Sequence, residues 1–497
     1  MQGFKLVTIF AVVLMSVNSS RPSGQPNIVF ILTDDQDIVL GGMEPMEKTK
    51  ELIAENGVTF TNAFVSTPIC CPSRSSYLTG HYIHNHGAVN NSIEGNCAAP
   101  GSGWQEGPEK QAFAVHAKQN GYNTGYFGKY LNQYGLNHTG GVQYIPPGWN
   151  VWMGLVGNSK YYNYSVSFNG VEEKHGVDYY TDYFTDLIAN RSNEFIRNAT
   201  KNHPDQPFLL VAATPAPHGP FTPAPQYSKT YAGRQSPRTP NWNFHSSDKH
   251  WLVREQAIMD AATVNHSDMI FCNRWGTLRS VDDLVAGIVD TLQDTNSLQN
   301  TYIIYSSDHG FQMGQFCIPG DKREPYEHDI RIPMLVRGPN IPRNKTIDSI
   351  VLNIDIAPTI IEMSGSNSST LDDIDGRSFL TLVSTNVTKT WRSDFLVDYH
   401  GEGHPPCGLS NCPPPQKTRF HEIDATNNTY TCLRTISDTT NDYYCEFTLT
   451  GYSEYYNLKT DQWQLKNTVH QLSNEHLMQL KKRLNQLRTC RGSTCHQ

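Results

Sequence analysis

Beyond its first twenty positions the 497-residue chain has no apolar run long enough to cross a membrane, and it carries no C-terminal anchor signal. It also lacks any block of Lys or Arg. With 39 basic and 47 acidic residues the formal charge is −8, which argues against nucleic acid as a partner. No CxxC pair and no His/Cys group at zinc-finger spacing occurs, so a structural zinc site is not expected. There is no internal repeat and no long low-complexity tract. A chain of this length can bury a large core, and it is expected to form more than one domain or one large domain with an appendage.

At the N-terminus, Lys5 precedes an apolar run over 6–17 that passes into small residues over 16–20. That run is too short to span a bilayer and reads as a cleaved signal peptide, residues 1–20. Asn137, Asn163, Asn190, Asn198, Asn265, Asn344, Asn386 and Asn427 each head Asn-x-Ser/Thr with no intervening Pro, and so does Asn90. Together these features predict a soluble glycoprotein of the secretory pathway, lysosomal or secreted. Of the 11 Cys, Cys432 and Cys445 flank a hairpin-like stretch, and Cys407/Cys412 and Cys490/Cys495 are close pairs. These are candidate disulfides in an oxidising compartment, with the connectivity open.

Three continuous apolar, β-branched runs read as buried parallel strands: 27–33, 207–214 and 301–306. Each ends in chemistry. The first runs into Asp34-Asp35-Gln36-Asp37, the second into Pro217-His218-Gly219 and the third into Ser307-Asp308-His309-Gly310. A further strand over 122–127 ends in Gly128-Lys129. Strand ends are where open α/β sheets bind ligands. Adjacent carboxylates need a cation to offset their repulsion, and hard oxygen donors suit calcium or magnesium. Between these runs lies Cys70-Cys71-Pro72-Ser73-Arg74-Ser75-Ser76-Tyr77-Leu78-Thr79-Gly80. Pro72 suits the first turn of an amphipathic helix and Gly80 its end. Cys70 would then sit at the helix N-terminus beside free N–H groups, with Arg74 one turn on, a setting that attracts an anion. His84, Asn90 and Asn91 follow in a dense polar stretch that could line a substrate pocket. Residues 140–176, rich in Gly, Tyr and Trp, read as strands and loops over the site.

The motif Cys-x-Pro-Ser-Arg-x-x-x-Leu-Thr-Gly resembles that of the formylglycine-dependent (type I) sulfatases. The resemblance implies an alkaline-phosphatase-like α/β fold, a large mostly parallel sheet flanked by helices, with a smaller C-terminal α+β domain containing an antiparallel sheet. The domains would span 21–390 and 391–497. It implies that formylglycine-generating enzyme oxidises Cys70 to formylglycine, whose hydrated aldehyde attacks the sulfur of a sulfate monoester. Asp34, Asp35, Asp308 and His309, with position 70, would hold one Ca2+ (or Mg2+). Arg74, Lys129, His218 and Lys322, the last four residues before Tyr326-Glu327, would contact the sulfate. Many members carry a His two residues after the Lys of the Gly-Lys pair; here that position is Leu131.

Segments such as 127–132, 214–218 and 321–323 resemble the branch that removes the 6-sulfate of N-acetylglucosamine in glycosaminoglycans, where Leu-Asn also follows the Gly-Lys-Tyr. The alternatives are a digestive or detoxifying sulfatase acting on glucosinolates or aryl sulfates, and a non-catalytic binder of sulfated glycans.

Overall fold

A computed structural model describes residues 24–101, 103–366, 371–383, 391–402 and 424–496. The signal-peptide region, Asn386, Cys407 and Cys412 lie outside the described residues.

Sixteen strands form three sheets among the described residues. In chain order they are β1 (Asn27–Thr33), β2 (Val58–Phe60), β3 (Ala63–Phe64), β4 (Asn123–Gly128), β5 (Val151–Leu155), β6 (Tyr164–Phe168), β7 (Val171–His175) and β8 (Phe208–Ala213). There follow β9 (Thr301–Ser307), β10 (Met334–Arg337), β11 (Lys345–Ile347), β12 (Val351–Leu352), β13 (Asp394–Tyr399), β14 (Tyr430–Ile436), β15 (Asn441–Phe447) and β16 (Tyr452–Asn457). The main sheet has ten strands in the order β11-β2-β10-β9-β1-β8-β4-β5-β6-β7. Its centre, β9-β1-β8-β4-β5, is parallel throughout.

Every residue of β1 is buried, which is why its sequence is apolar without alternation. Ile28, Phe30 and Leu32 pack into the core on one face, and Val29 and Ile31 into the core on the other. Helices Phe184–Asn202 and Ala261–Asp294 cover the second face, contributing Ile188, Val281, Leu284, Val285 and Ile288. The Ala261–Asp294 helix starts where the Asp260 carboxylate accepts the Thr263 N–H. Residues 140–176 form strands and loops as expected, and the β5–β6 loop reaches the site through Ser159. β5 pairs parallel with β4, and β6 and β7 continue as a meander that extends the main sheet at one edge.

The second sheet of note, β13-β14-β15-β16, is antiparallel throughout, with helix Asn474–Arg488 packed on it through Leu480, Leu484 and Leu487. Cys432 and Cys445 stand directly opposite each other in β14 and β15 and are bonded, and Cys490 is bonded to Cys495. A third bridge, Cys71–Cys97, was not among the close pairs of the sequence. The Cys432–Cys445 bridge closes a loop with a separation of 13 residues. Replacing both cysteines by Ser is expected to lower stability by about 3 kcal/mol, the chain-entropy value for such a loop, read as a lower urea midpoint. An unchanged midpoint would show that strand packing alone sets the unfolded ensemble here.

Candidate active site

The C-terminal ends of four neighbouring strands, β9, β1, β8 and β4, meet at one place, and each delivers a polar residue there. The hydrogen-bond ladder runs on to the functional positions. Lys129 N–H donates to the Ala213 carbonyl (2.9 Å), Asp34 N–H to Ala216 (2.9 Å) and Asp308 N–H to Thr33 (3.0 Å). Gly128, just before Lys129, has φ +124°, and a Cβ there would lie 1.8 Å from the Ala213 carbonyl oxygen, so only glycine fits.

The Cys70 motif forms helix Cys70–Thr79, ended by Gly80 at φ 75°. All ten of its residues are buried, so it is a core helix rather than an amphipathic one. Nor is its N-terminus open: Cys71 N–H donates to Asn91 Oδ1 (2.9 Å), Ser73 N–H donates to the Ile69 carbonyl, and Pro72 has no N–H. The positive potential at position 70 therefore comes mainly from side chains.

Those side chains are close together. Cys70 Sγ lies 3.8 Å from Asp34 Oδ1 and 3.3 Å from His309 Nε2. Lys129 Nζ donates to Asp34 Oδ2 at 2.7 Å, and Arg74 Nε to Asp308 Oδ2 at 2.8 Å. The other face of the Arg74 guanidinium reaches the Lys129 carbonyl (2.8 Å) and stands 3.6 Å from Asp34. Lys322 Nζ is 3.2 Å from Asp35. His218, half-buried at the rim, donates from Nδ1 to the Gly219 carbonyl at 2.8 Å, because a carbonyl can only accept; Nε2 is left outside that bond and is the atom that gains or gives up a proton.

Burial alone would raise the Asp34 carboxyl, but Lys129, His218 and Arg74 hold it well below the usual carboxylate range. The same opposition at Asp35, led on the lowering side by Lys322, brings its pKa down to about 2. Asp308 goes the other way: burial and the Asp34 charge push it up, against His309 and Arg74. For His218, burial disfavours the imidazolium, yet the charges of Asp35 and Asp34 raise its pKa.

The donor set fits a divalent cation. Ligand atoms of Asp34, Cys70, Asp308 and His309 all lie within 4.8 Å of one another, as do those of Asp34, Asp35, Cys70 and His218. Asp35 Oδ1 is buried and accepts no hydrogen bond. His309 donates its Nδ1–H to the Gly310 carbonyl (2.9 Å), the arrangement that fixes the tautomer of a metal-ligating imidazole and turns the Nε2 lone pair inward. Nε2 then faces Asp35 Oδ1 at 3.5 Å and Asp308 Oδ1 at 3.6 Å. A buried cluster rich in carboxylates and with a single inward imidazole suits a hard cation.

Not every residue expected at the site reaches it. His84 Nε2 is bonded to the Cys490 carbonyl (2.9 Å), which ties the end of the motif segment to the C-terminal disulfide loop. Asn90 Oδ1 accepts the Ser92 N–H. Asn91 alone of the three touches the motif, through Cys71. Leu131 is fully buried. Among the sequon asparagines, Asn137, Asn163, Asn190, Asn198, Asn265 and Asn344 are exposed, while Asn427 is half-buried and accepts the Trp251 indole N–H (3.0 Å).

Two site residues escaped the sequence reading. Ser159, from the β5–β6 loop, donates its hydroxyl to Asp34 Oδ2; a Ser in a polar loop carries no signal. Arg274, 2% exposed, donates to the Asp35 carbonyl (2.7 Å) and Asp37 (3.0 Å), with its guanidinium 4.0 Å over the Phe311 ring. It thereby holds Asp35 in its left-handed conformation (φ 71°). Its signal was present: an Arg beside Phe271, Trp275 and Leu278 on a buried helix face needs a partner.

A cage of carboxylates under a cationic rim, with Cys70 between them at the start of a Cys-x-Pro-Ser-Arg helix, defines a hydrolase for anionic esters. The family model described as Sulfatase matches residues 26–366, so the chain belongs to the sulfatase family and is a sulfuric ester hydrolase. The family generally uses formylglycine and a divalent metal. The chain is 46% identical over 483 residues to N-acetylglucosamine-6-sulfatase of Homo sapiens, covering 95% of this chain and 86% of that protein. It is 45% identical over 489 residues to the Capra hircus protein of the same name, covering 96% and 86%. A solved structure of a protein in complex with its substrate D-glucosamine-2-N,6-O-disulfate shares the fold, with TM-score 0.73 and 21% identity over 93% of this chain and 97% of that one. No helix among the described residues is long and apolar enough to cross a membrane.

Proposed function

We propose that this chain hydrolyses the 6-sulfate of N-acetylglucosamine residues in glycosaminoglycans. Cys70 is matured to formylglycine by formylglycine-generating enzyme, and Asp34, Asp35, Asp308 and His309 hold one calcium ion beside it; magnesium would accept the same donors. The observation that carries the reaction is the placement of Cys70 Sγ, 3.3 Å from His309 and 3.8 Å from Asp34, within the group of Arg74, Lys129, His218 and Lys322. The choice of alcohol rests on the identity of 45% and 46% to relatives bearing that name.

A cation held by Asp34, Asp35, Asp308 and His309 would serve to polarise a sulfate oxygen, and formylglycine at position 70 would supply, as its hydrate, the hydroxyl nucleophile. The rest of the work falls to this chain's side chains. Arg74 and Lys129 fix the Asp308 and Asp34 carboxylates that hold the cation, and their charge offsets the negative charge that grows on the sulfuryl oxygens. Lys322 and His218 face the cavity from which the alcohol departs. His218, with Nδ1–H engaged by Gly219, offers Nε2 for proton transfer, and it or Lys322 protonates the leaving oxygen.

Residues 1–20 direct the chain into the secretory pathway, for use in the lysosome or outside the cell, and the sequon asparagines carry its glycans. Residues 21–390 form the catalytic unit and 391–497 its C-terminal unit. Mass spectrometry of the tryptic peptide holding Cys70, from a host with a competent secretory pathway, is expected to find an aldehyde. That enzyme should release sulfate from N-acetylglucosamine-6-sulfate in preference to a glucosinolate. An unmodified thiol with no turnover would leave the reading of a glycan binder.

A further inference from the structure

The cation cage opens into a cavity of about 430 Å3 whose lining combines two chemistries. Asp35, His218 and Lys322 mark its reacting end, and the Asp321 carboxylate lines it too. Phe221, His266, Ile270 and Phe311 supply the aromatic and aliphatic lining. His266 and Ile270 lie one helical turn apart on the Ala261–Asp294 helix, and Arg274 follows one turn further on the same face. The root of this stripe is therefore pinned: Arg274 bonds to the Asp35 carbonyl and packs on Phe311. Phe221 is fixed as well. Its N–H donates to the His218 carbonyl (3.2 Å), and its ring meets Phe311 edge-on at 6.3 Å. One long helix thus sets the width between the reacting end of the cavity and its mouth.

We propose that the His266–Ile270 stripe, with Phe221 and Phe311, is the surface that reads the alcohol half of the substrate. It takes the uncharged, C–H-rich face of a pyranose ring and selects against a second anionic group there. The inference rests on the sugar-sulfate reading above and names the residues that enforce it. Aromatic and branched aliphatic side chains cover the C–H face of a ring while leaving its hydroxyls to water or to the rim. Lys322, the single lysine or arginine among the lining residues, sits beside Asp35 at the reacting end, and Asp321 adds a carboxylate to the lining, so a second anion against the stripe would gain no further cation. Burial also pushes the His266 imidazole below its ordinary pKa, which disfavours a positive charge there.

Steady-state kinetics on the mature full-length enzyme test this, with N-acetylglucosamine-6-sulfate, D-glucosamine-2-N,6-O-disulfate and an aryl sulfate as substrates and inorganic sulfate as inhibitor. Ile270→Ala and His266→Ala alter half-buried side chains of the Ala261–Asp294 helix, and the urea midpoint of each variant is measured beside the kinetics. Each is expected to lower kcat/KM for the N-acetyl sugar about tenfold through KM, the scale of a lost pocket contact. The inhibition constant for sulfate, which occupies only the reacting end, should stay within twofold of wild type (about 0.4 kcal/mol). Ile270→Arg should shift the selectivity toward the disulfate by about tenfold or more. If KM and the sulfate inhibition constant move together, or if neither moves, the stripe is structural and the inference is overturned. If wild type turns over the aryl sulfate and neither sugar, the substrate reading itself fails, which is a different result from sugar turnover insensitive to the variants.

Discussion

Cys70→Ala is expected to give a folded protein with no measurable sulfate-ester hydrolysis. The fold should tolerate the change because little structure depends on the Cys70 side chain. Among the described residues its sulfur makes two long polar contacts, to Asp34 and His309. The start of the motif helix is secured instead by the neighbouring Cys71–Cys97 bridge and by Asn91 on the Cys71 N–H. Activity has no such substitute. Around position 70 the described side chains are carboxylates, cations and imidazoles, already committed to one another by bonds of 2.7–3.2 Å. The lysines and the arginine cannot act as nucleophiles without abandoning a buried ion pair, and the carboxylates and the His309 imidazole are the donors that would hold the cation. Loss of a nucleophile in an otherwise intact site costs about 10⁴-fold or more in turnover. The check is sulfate release by the variant, with the urea midpoint measured on the same preparation. Activity within a hundredfold of wild type at an unchanged midpoint would mean that a water held in the cage, and not position 70, attacks the ester.

That Cys70 could be found from the chain alone, while Ser159 could not and Arg274 showed only its need for a partner, has a physical cause. The parallel core of the sheet forces continuous apolar runs, so β1, β8 and β9 announce themselves, and with them the polar residues just past their ends. The motif around Cys70 is local: its proline, arginine and glycine all serve one helix start and one helix end, within a span that sequence displays whole. The failures are non-local. Ser159 meets Asp34 across 125 positions, and Arg274 meets Asp35 across 239, and neither partner has a neighbour in sequence that marks it. His84 failed for the opposite reason. It lies close to Cys70 in the chain, but the 10-residue helix between them carries the chain away, and its imidazole is taken by Cys490. The segment 140–176 was legible as strands but not as part of the main sheet, since an antiparallel meander reads the same at a sheet edge as over a cleft.

Arg74→Met is expected to reduce stability and activity together, by more than any other single change to the cationic rim. Arg74 is 2% exposed and serves three groups at once: Asp308 through Nε, the Lys129 carbonyl through Nη1 and Asp34 at longer range. Its charge is matched against two buried carboxylates, one of which, Asp308, burial and Asp34 already push toward protonation. A methionine fills much of the same volume and removes the charge, leaving those fully buried carboxylates short of a partner. Breaking a buried pair from one side costs about 3–5 kcal/mol. In chelator, where no added cation masks the deficit, the variant's urea midpoint should fall accordingly, and calcium should recover part of the loss. Turnover should fall about 10²–10³-fold, the usual effect of removing one charge-stabilising donor from a preorganised site. Arg74→Lys separates charge from geometry. A lysine restores the positive charge but cannot bridge Asp308 and the Lys129 carbonyl with a planar fork. It should therefore regain most of the stability and only part of the rate. A methionine variant as stable as wild type in chelator would show that Lys129 and Lys322 already balance the three carboxylates, and that Arg74 serves the sulfate alone.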